Sequence, residues 1–230
     1  MLMTLGWGMP FTLFVGAGLS SVPASLFGPL VPGMAPILVA GLAWAIYSAR
    51  PGRGAALGLA LMSLALISVV GQWLAEGNWA EMAGWPFLFC ASLGLSIFSV
   101  MLPRSRLNPV EATAYICLYS MPFLGIALVL NPTAFDGLGW QDLAFHAGIQ
   151  GILTGLIAVL AYGMAIRHLG ALKGSTANAM VPVCAAISAV LVLGEQITWL
   201  DGVAVTASSM GVAAVNGLFD RWLRRPAKDG

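Results

Sequence analysis

The sequence predicts an all-α integral membrane protein with eight transmembrane helices. Three observations carry this reading. Of its 230 residues, 59% are hydrophobic and only 8% are charged, where an ordinary soluble domain carries roughly a quarter charged residues. Apolar runs of about 20 residues, the length that crosses a bilayer core, recur eight times between clusters of charge, Pro and Gly. All ten Lys and Arg residues fall in alternate connections. The net charge of +1 also excludes a nucleic-acid surface, which needs clustered cations, and a chain this apolar does not stay solvated as a disordered one.

The spans follow in order. The first, residues 3–21, lacks the cationic start of a cleaved leader and is read as part of the mature protein. The second, 24–48, contains Pro32 and Pro36. The third, 54–72, lies between Arg50 and Arg53 on one side and Trp73 and Glu76 on the other. The fourth, 80–102, runs from Trp79 and Glu81 to Arg104, and the fifth, 108–130, from Arg106 and Glu111 to Asp136. The sixth, 143–166, joins Asp142 to Arg167. The seventh, 175–193, follows Lys173 and ends at Gly194-Glu195, and the eighth, 200–218, leads from Asp201 into the basic tail, residues 221–230.

Cytoplasmic connections hold the cations of a membrane protein. Arg50, Arg53, Arg104, Arg106, Arg167, Lys173 and the tail's Arg221, Arg224, Arg225 and Lys228 therefore predict that Met1 and the C-terminus are cytoplasmic. The opposite connections hold Glu76, Glu81, Asp136, Asp142, Glu195 and Asp201 and no cation. Trp73, Trp79, Trp140, Trp199 and Trp222 stand at span ends, where indole rings anchor in headgroups. Cys90, Cys117 and Cys184 are isolated within apolar runs and are expected to be buried free thiols.

Sliding the chain on itself by 150 residues sets Leu30-Val31-Pro32 on Met180-Val181-Pro182, Ser25 on Ser175, Ala35 on Ala185, Ile37 on Ile187 and Gly52 on Gly202. The first three spans thereby match the last three. A second unit of five spans is odd, so its partner unit enters the membrane inverted, an arrangement common in transporters. The predicted organisation is a partial first unit of three helices (1–75), a second unit of five (76–220) and a basic cytoplasmic tail (221–230). The offset places the start of the sixth span's counterpart before Met1. This predicts that two spans and the head of a third are missing, through a late-assigned start or a natural truncation.

The stretch Ala165-Ile166-Arg167-His168-Leu169-Gly170-Ala171, then Ala177, Val181-Pro182-Val183, Leu193-Gly194-Glu195, Thr198 and Gly211-Val212 resembles the final two spans of EamA-type transporters of the drug/metabolite superfamily. The resemblance is ordered over some fifty residues and is weaker over the first three spans. It implies a fold of ten helices in two inverted five-helix units, of which this chain is a remnant. Two positions depart from the family pattern: Ala204 stands where Gly is frequent, and Trp44-Ala45 stand where the first unit often carries Gly-Glu.

Candidate functional residues come from the interrupted and polar spans. Pro32 deprives the carbonyl of Gly28 of its helical partner, and Pro182 does the same to Asn178. Such breaks must face protein or a wet cavity, and paired breaks in matching halves point to a midplane binding site. Pro32, Pro36 and Pro182 are thus either hinges at a site or packing kinks. His146, Gln150 and Thr154, at spacing i, i+4 and i+8, share a helix face, beside a Gly151-Gly155 pair that allows close helix approach. Asn178, Tyr115 and Tyr119 are further cavity candidates, the two tyrosines as walls that stack on substrate. Glu111 is either a carboxylate complementing its helix start or a protonatable gate. Glu195 is read as structural, ordering the turn between the last two spans.

Enzyme signatures are missing: no GxSxG, HExxH or metal-spaced His/Cys set occurs, and Lys173-Gly174-Ser175-Thr176 lacks the GxxxxGK frame of a phosphate loop. No metal and no cofactor is predicted. The resemblance implies a secondary transporter, an exporter of a small organic metabolite, amino acid or drug, working by alternating access and driven by protons. The expected partners are the small-molecule substrate and the lipid bilayer of the inner membrane, with no nucleic acid and with a homodimer left open. The competing expectation is a truncated, non-transporting membrane protein acting as a packing or regulatory subunit.

Overall fold

The computed structural model describes residues 6–130, 132–133, 136–137, 139–175, 181–196 and 198–215. Among them the regular structure is helical: α1 (Met9–Leu19), α2 (Ala24–Tyr47), α3 (Arg53–Glu76), α4 (Trp79–Met101), α5 (Pro109–Leu130), α6 (Trp140–Leu169), α7 (Val181–Leu193) and α8 (Trp199–Val215). These correspond one to one with the eight expected spans. Five are long and apolar enough to cross a membrane, and three are shorter apolar helices. The ends differ by a few residues. α3 runs on to Glu76 because Gly77, at φ +71°, supplies the left-handed stop.

Small residues set the packing, as they must where lipid removes the hydrophobic drive between helices. α3 lies along α8 with Gly58 facing Gly211, and α1 lies along α4 with Gly18 facing Gly84. α4 also packs along α2, and α7 packs on the first turns of α2. One core cluster joins Leu30, Val31, Val69, Trp73 and Leu88 between α2, α3 and α4, and a second joins Leu95, Phe98, Ile116, Tyr162 and Ile166 between α4, α5 and α6.

The break in α2 is satisfied inside the bundle. Residues 28–36 are all buried. The Gly28 carbonyl, which Pro32 leaves without its usual partner, accepts the Gly33 N–H at 2.8 Å. Ser92 Oγ on α4 donates to the Val31 carbonyl at 2.9 Å, and Ser96 Oγ to the Ala35 carbonyl at 3.2 Å. The Val31 carbonyl also accepts the Ala35 N–H at 3.1 Å, and Ser96 Oγ shares its proton with the Ser92 carbonyl at 2.7 Å, so the serines tie α4 to the break as additional donors.

Three expectations are corrected. Trp73 is not a headgroup anchor: it is 4% exposed, because its face of α3 meets α2 and α4, whereas Trp79, Trp140 and Trp199 are exposed. Cys90, Cys117 and Cys184 are free thiols but exposed on their helices, not buried. Gly151 and Gly155 seat no approaching helix, since nothing lies within 4 Å of a Cβ placed at Gly151. That stretch of α6, Ala147–Ala158, is a π-helix, and Thr154 Oγ1 donates to the Ile149 carbonyl five residues back at 3.0 Å. Runs of π-helix are rare and often accompany functional sites. Trp222 lies outside the described residues.

Candidate functional site

A cavity of about 300 Å³ opens between α1, α5 and α6. Its polar lining is Thr12, Ser120 and Gln150, and none of its lining residues is charged. Gly151 and Gly155 form one wall, so the widened turns of α6 present backbone where side chains would fill the space. Ile116, Met121 and Leu124 of α5 supply the opposite apolar wall. Ser120 Oγ donates to the Ile116 carbonyl at 2.7 Å and accepts the Met9 N–H at 3.0 Å. That second bond caps the start of α1 where the chain bends at Gly8.

Trp7 closes one side of the cavity. Its ring meets Tyr162 edge-on at 4.7 Å and Phe98 edge-on at 5.6 Å, geometries that favour the aromatic quadrupoles. Tyr162 is held in turn by a 2.9 Å hydrogen bond to Ser99 Oγ, which also donates to the Leu95 carbonyl. Ser92, Ser96 and Ser99 thus form a stripe on α4 that secures the α2 break on one side and the aromatic wall on the other. Nothing in the sequence marked them, because serine pairing with a distant carbonyl leaves no local pattern.

Of the expected site residues, Gln150 lies in the cavity lining. Thr154 and His146 are exposed and outside it, with His146 edge-on to Phe145. Tyr115 and Tyr119 stack on each other at 6.1 Å on the exposed face of α5, also outside it. Glu111 is exposed and engaged in a reciprocal cap: its carboxylate accepts the Asn108 N–H at 2.7 Å, and Asn108 Oδ1 accepts the Glu111 N–H at 2.8 Å. Pro182 is buried against Gly28. Asn178 lies outside the described residues.

A second hollow, of about 350 Å³, sits at the acidic end of the bundle and includes Glu76, Glu81, Glu195 and Asp201 in its lining. Glu195 accepts the backbone N–H groups of Ala24 and Ser25 at 2.9 and 3.0 Å. Burial pushes the Glu195 carboxyl up, but the hydrogen bonds from Ser25 and Ala24 outweigh it and hold the group below its ordinary range. At the opposite end Arg167 Nη1 donates to the Leu107 carbonyl, and the Arg104 guanidinium lies 3.4 Å over the Tyr47 ring. Among the described residues, no group of three or more His, Cys, Asp or Glu side chains could hold a metal ion.

The cavity is uncharged, lined by apolar side chains, two hydroxyls and one amide, and lies among apolar helices. The EamA-like transporter family matches residues 82–217, from α4 to past the described end of α8. No curated protein matches the chain. The family match covers more than half of the 230 residues, and this multi-pass membrane protein belongs to the EamA-like transporter family.

Proposed function

We propose that the chain is a secondary transporter that exports a small neutral or zwitterionic organic solute across the inner membrane by alternating access. The observation that carries this reading is the cavity lined by Thr12, Ser120 and Gln150 with no charged side chain. A hydroxyl pair and an amide orient a solute through hydrogen bonds, while Ile116, Met121 and Leu124 take its apolar part. No cation is present in the lining to hold a naked anion. The units 1–75 and 76–220 rock against each other in this scheme, with the α2 break and Pro182 at their contact. The cationic connections and the tail face the cytoplasm, and the proton gradient supplies the energy.

The test is flux of labelled neutral and zwitterionic amino acids and amphipathic drugs into proteoliposomes under an imposed pH gradient. Gradient-dependent flux that Gln150→Ala diminishes, with the protein still inserted, supports the reading. Absence of flux for every solute class, or flux indifferent to Gln150→Ala, overturns it and leaves the packing-subunit alternative.

A further inference from the structure

Glu195 joins parts of the chain far apart in sequence. Its Oε1 accepts the Ala24 N–H and its Oε2 the Ser25 N–H, across 171 and 170 positions. Both donors open the first turn of α2, Ala24–Leu26, which has no side-chain cap of its own. Amides at a helix start lack intrahelical partners, so Glu195 does from the α7–α8 connection what a capping residue does locally. Its placement is built by the π-helical end of α7: Gly194 turns left-handed at φ +67°, and the Glu195 N–H closes onto the Ala189 carbonyl six residues back at 3.2 Å, a left-handed glycine stop.

The matching helix, α2, ends the same way with different residues. Ser48 is left-handed at φ +54°, and the Ala49 N–H closes onto the Ala43 carbonyl at 3.3 Å. Ala49 therefore holds the place in α2 that Glu195 holds in α7, while the 150-residue offset points to Ala45. Neither is an acid. The reason is visible in the sequence: Trp44 replaces the glycine at the offset position, a bulky residue resists the left-handed conformation, and α2 continues until Ser48. The turn Ala171–Ser175 packs on α2, as Ala24–Leu26 packs on α7. At this end the Arg104 guanidinium lies over the Tyr47 ring, with Arg104 exposed.

We infer that Glu195 is a latch of the acidic end: it holds that end closed by capping α2 from the α7–α8 connection. Glu76 of α3, Glu81 of α4 and Asp201 of α8 face the same hollow. Their charges repel that of Glu195, so the amides of Ala24 and Ser25, with the Ser25 side chain, are what keep this carboxylate in place. Asp201 is occupied by its own Thr198 turn, and Glu76 by Gln72 and Asn78. Release of Glu195 opens the hollow toward Leu26 and the α2 break.

The assignment rests on the alternating-access reading above, but its readout does not require transport. Ser25 is 4% exposed, and Ser25→Cys keeps both backbone bonds to Glu195 while exchanging the hydroxyl that also bonds it, so all rates are compared within the Ser25→Cys background. With Cys90, Cys117 and Cys184 changed to Ala, the labelling rate of that cysteine by a membrane-impermeant thiosulfonate is measured from each face of vesicles. Glu195→Ala is expected to raise the rate from the acidic side by about tenfold or more, since it removes both charge-assisted hydrogen bonds and the loss of even one is worth about that much. Glu195→Gln gives a smaller rise and Arg104→Ala none from that side. Equal rates with and without the carboxylate overturn the latch. If Glu195→Ala fails to insert, Glu195→Gln decides by the same comparison. Unchanged labelling in a protein that transports removes the latch alone, and faster labelling in a protein that moves no solute removes the transport reading alone.

Discussion

Pro182 of α7 packs on the backbone of Gly28 in α2, closely enough that a methyl group at position 28 would overlap the Pro182 Cα. The carbonyl that Pro32 leaves unpaired in α2 belongs to that same Gly28, and Gly33 claims it. The break in one helix and the proline of the other therefore meet at a single glycine. Gly28 does not have positive φ, so its requirement is for space. Gly28→Ala is expected to cost about 1–3 kcal/mol, the usual penalty of overpacking, read as a lowered thermal midpoint in detergent. An unchanged midpoint would show that α7 retreats freely.

The Glu195 carboxyl, held below its ordinary range by the Ala24 and Ser25 amides, couples stability to acid. Its contribution is full above about pH 4.5, the unfolded value, and is lost as pH falls through the lowered folded value. Glu195→Gln should therefore lower the thermal midpoint at neutral pH and converge with the parent on acidification. Glu76, Glu81 and Asp201 share the hollow, so the difference between the two curves is the quantity to read. Curves that stay parallel down to about pH 3 would refute the coupling.

Gly151 separates folding from function cleanly. It lines the cavity, and nothing lies within 4 Å of a Cβ there. Gly151→Leu should fill the cavity and abolish flux while leaving the stability within about 1 kcal/mol of the parent, since leucine is the better helix former. Retained flux would place the solute path elsewhere.

Ser120 is a milder probe of the same cavity. Its hydroxyl holds the Met9 N–H, so Ser120→Ala removes that bond, worth about 1 kcal/mol, together with its own bond to the Ile116 carbonyl, and loosens the start of α1. A several-fold rise in the half-saturating concentration, with maximal flux preserved, is the expected outcome, measured by initial rates.

Tyr162 tests the aromatic wall. Tyr162→Phe removes the bond to Ser99, which keeps its bond to the Leu95 carbonyl, and should cost only about 0.6 kcal/mol, the average for an interhelical hydrogen bond in a membrane. Tyr162→Ala, which empties the space beside Trp7 and Phe98, should cost about 3–5 kcal/mol. Similar costs for the two variants would mean that the hydroxyl, not the ring, carries the residue's role.

Much of the architecture was legible in the chain. Eight apolar runs became eight helices because span length and hydropathy are properties of each segment alone. Pro32 disclosed the α2 break for the same reason: a missing N–H is a local fact. The site was less legible. Gln150 was visible as an amide in a hydrocarbon run, but Tyr115 and Tyr119, equally plausible by spacing, stand on the other face of α5. The Gly151-Gly155 pair carried a packing signature, yet the π-helix turned it into a cavity wall. Trp73 matched the pattern of an interfacial ring and was drawn inside by its neighbours on α2 and α4.

Read along the chain alone, the residues make this a membrane protein of eight apolar helices, sort its cations from most of its acids, and reveal the likeness between its first and last three spans. Those properties are sums over neighbouring residues, and they survive without knowing what touches what. Only the tertiary structure decided that Ser92 and Ser96 serve the α2 break, that Gln150 shares a cavity with Ser120, and that Glu195 caps a helix beginning 171 residues earlier. Each of these is a hydrogen bond or a shared void between distant segments. Its existence depends on how small residues let helices approach, which no local pattern encodes.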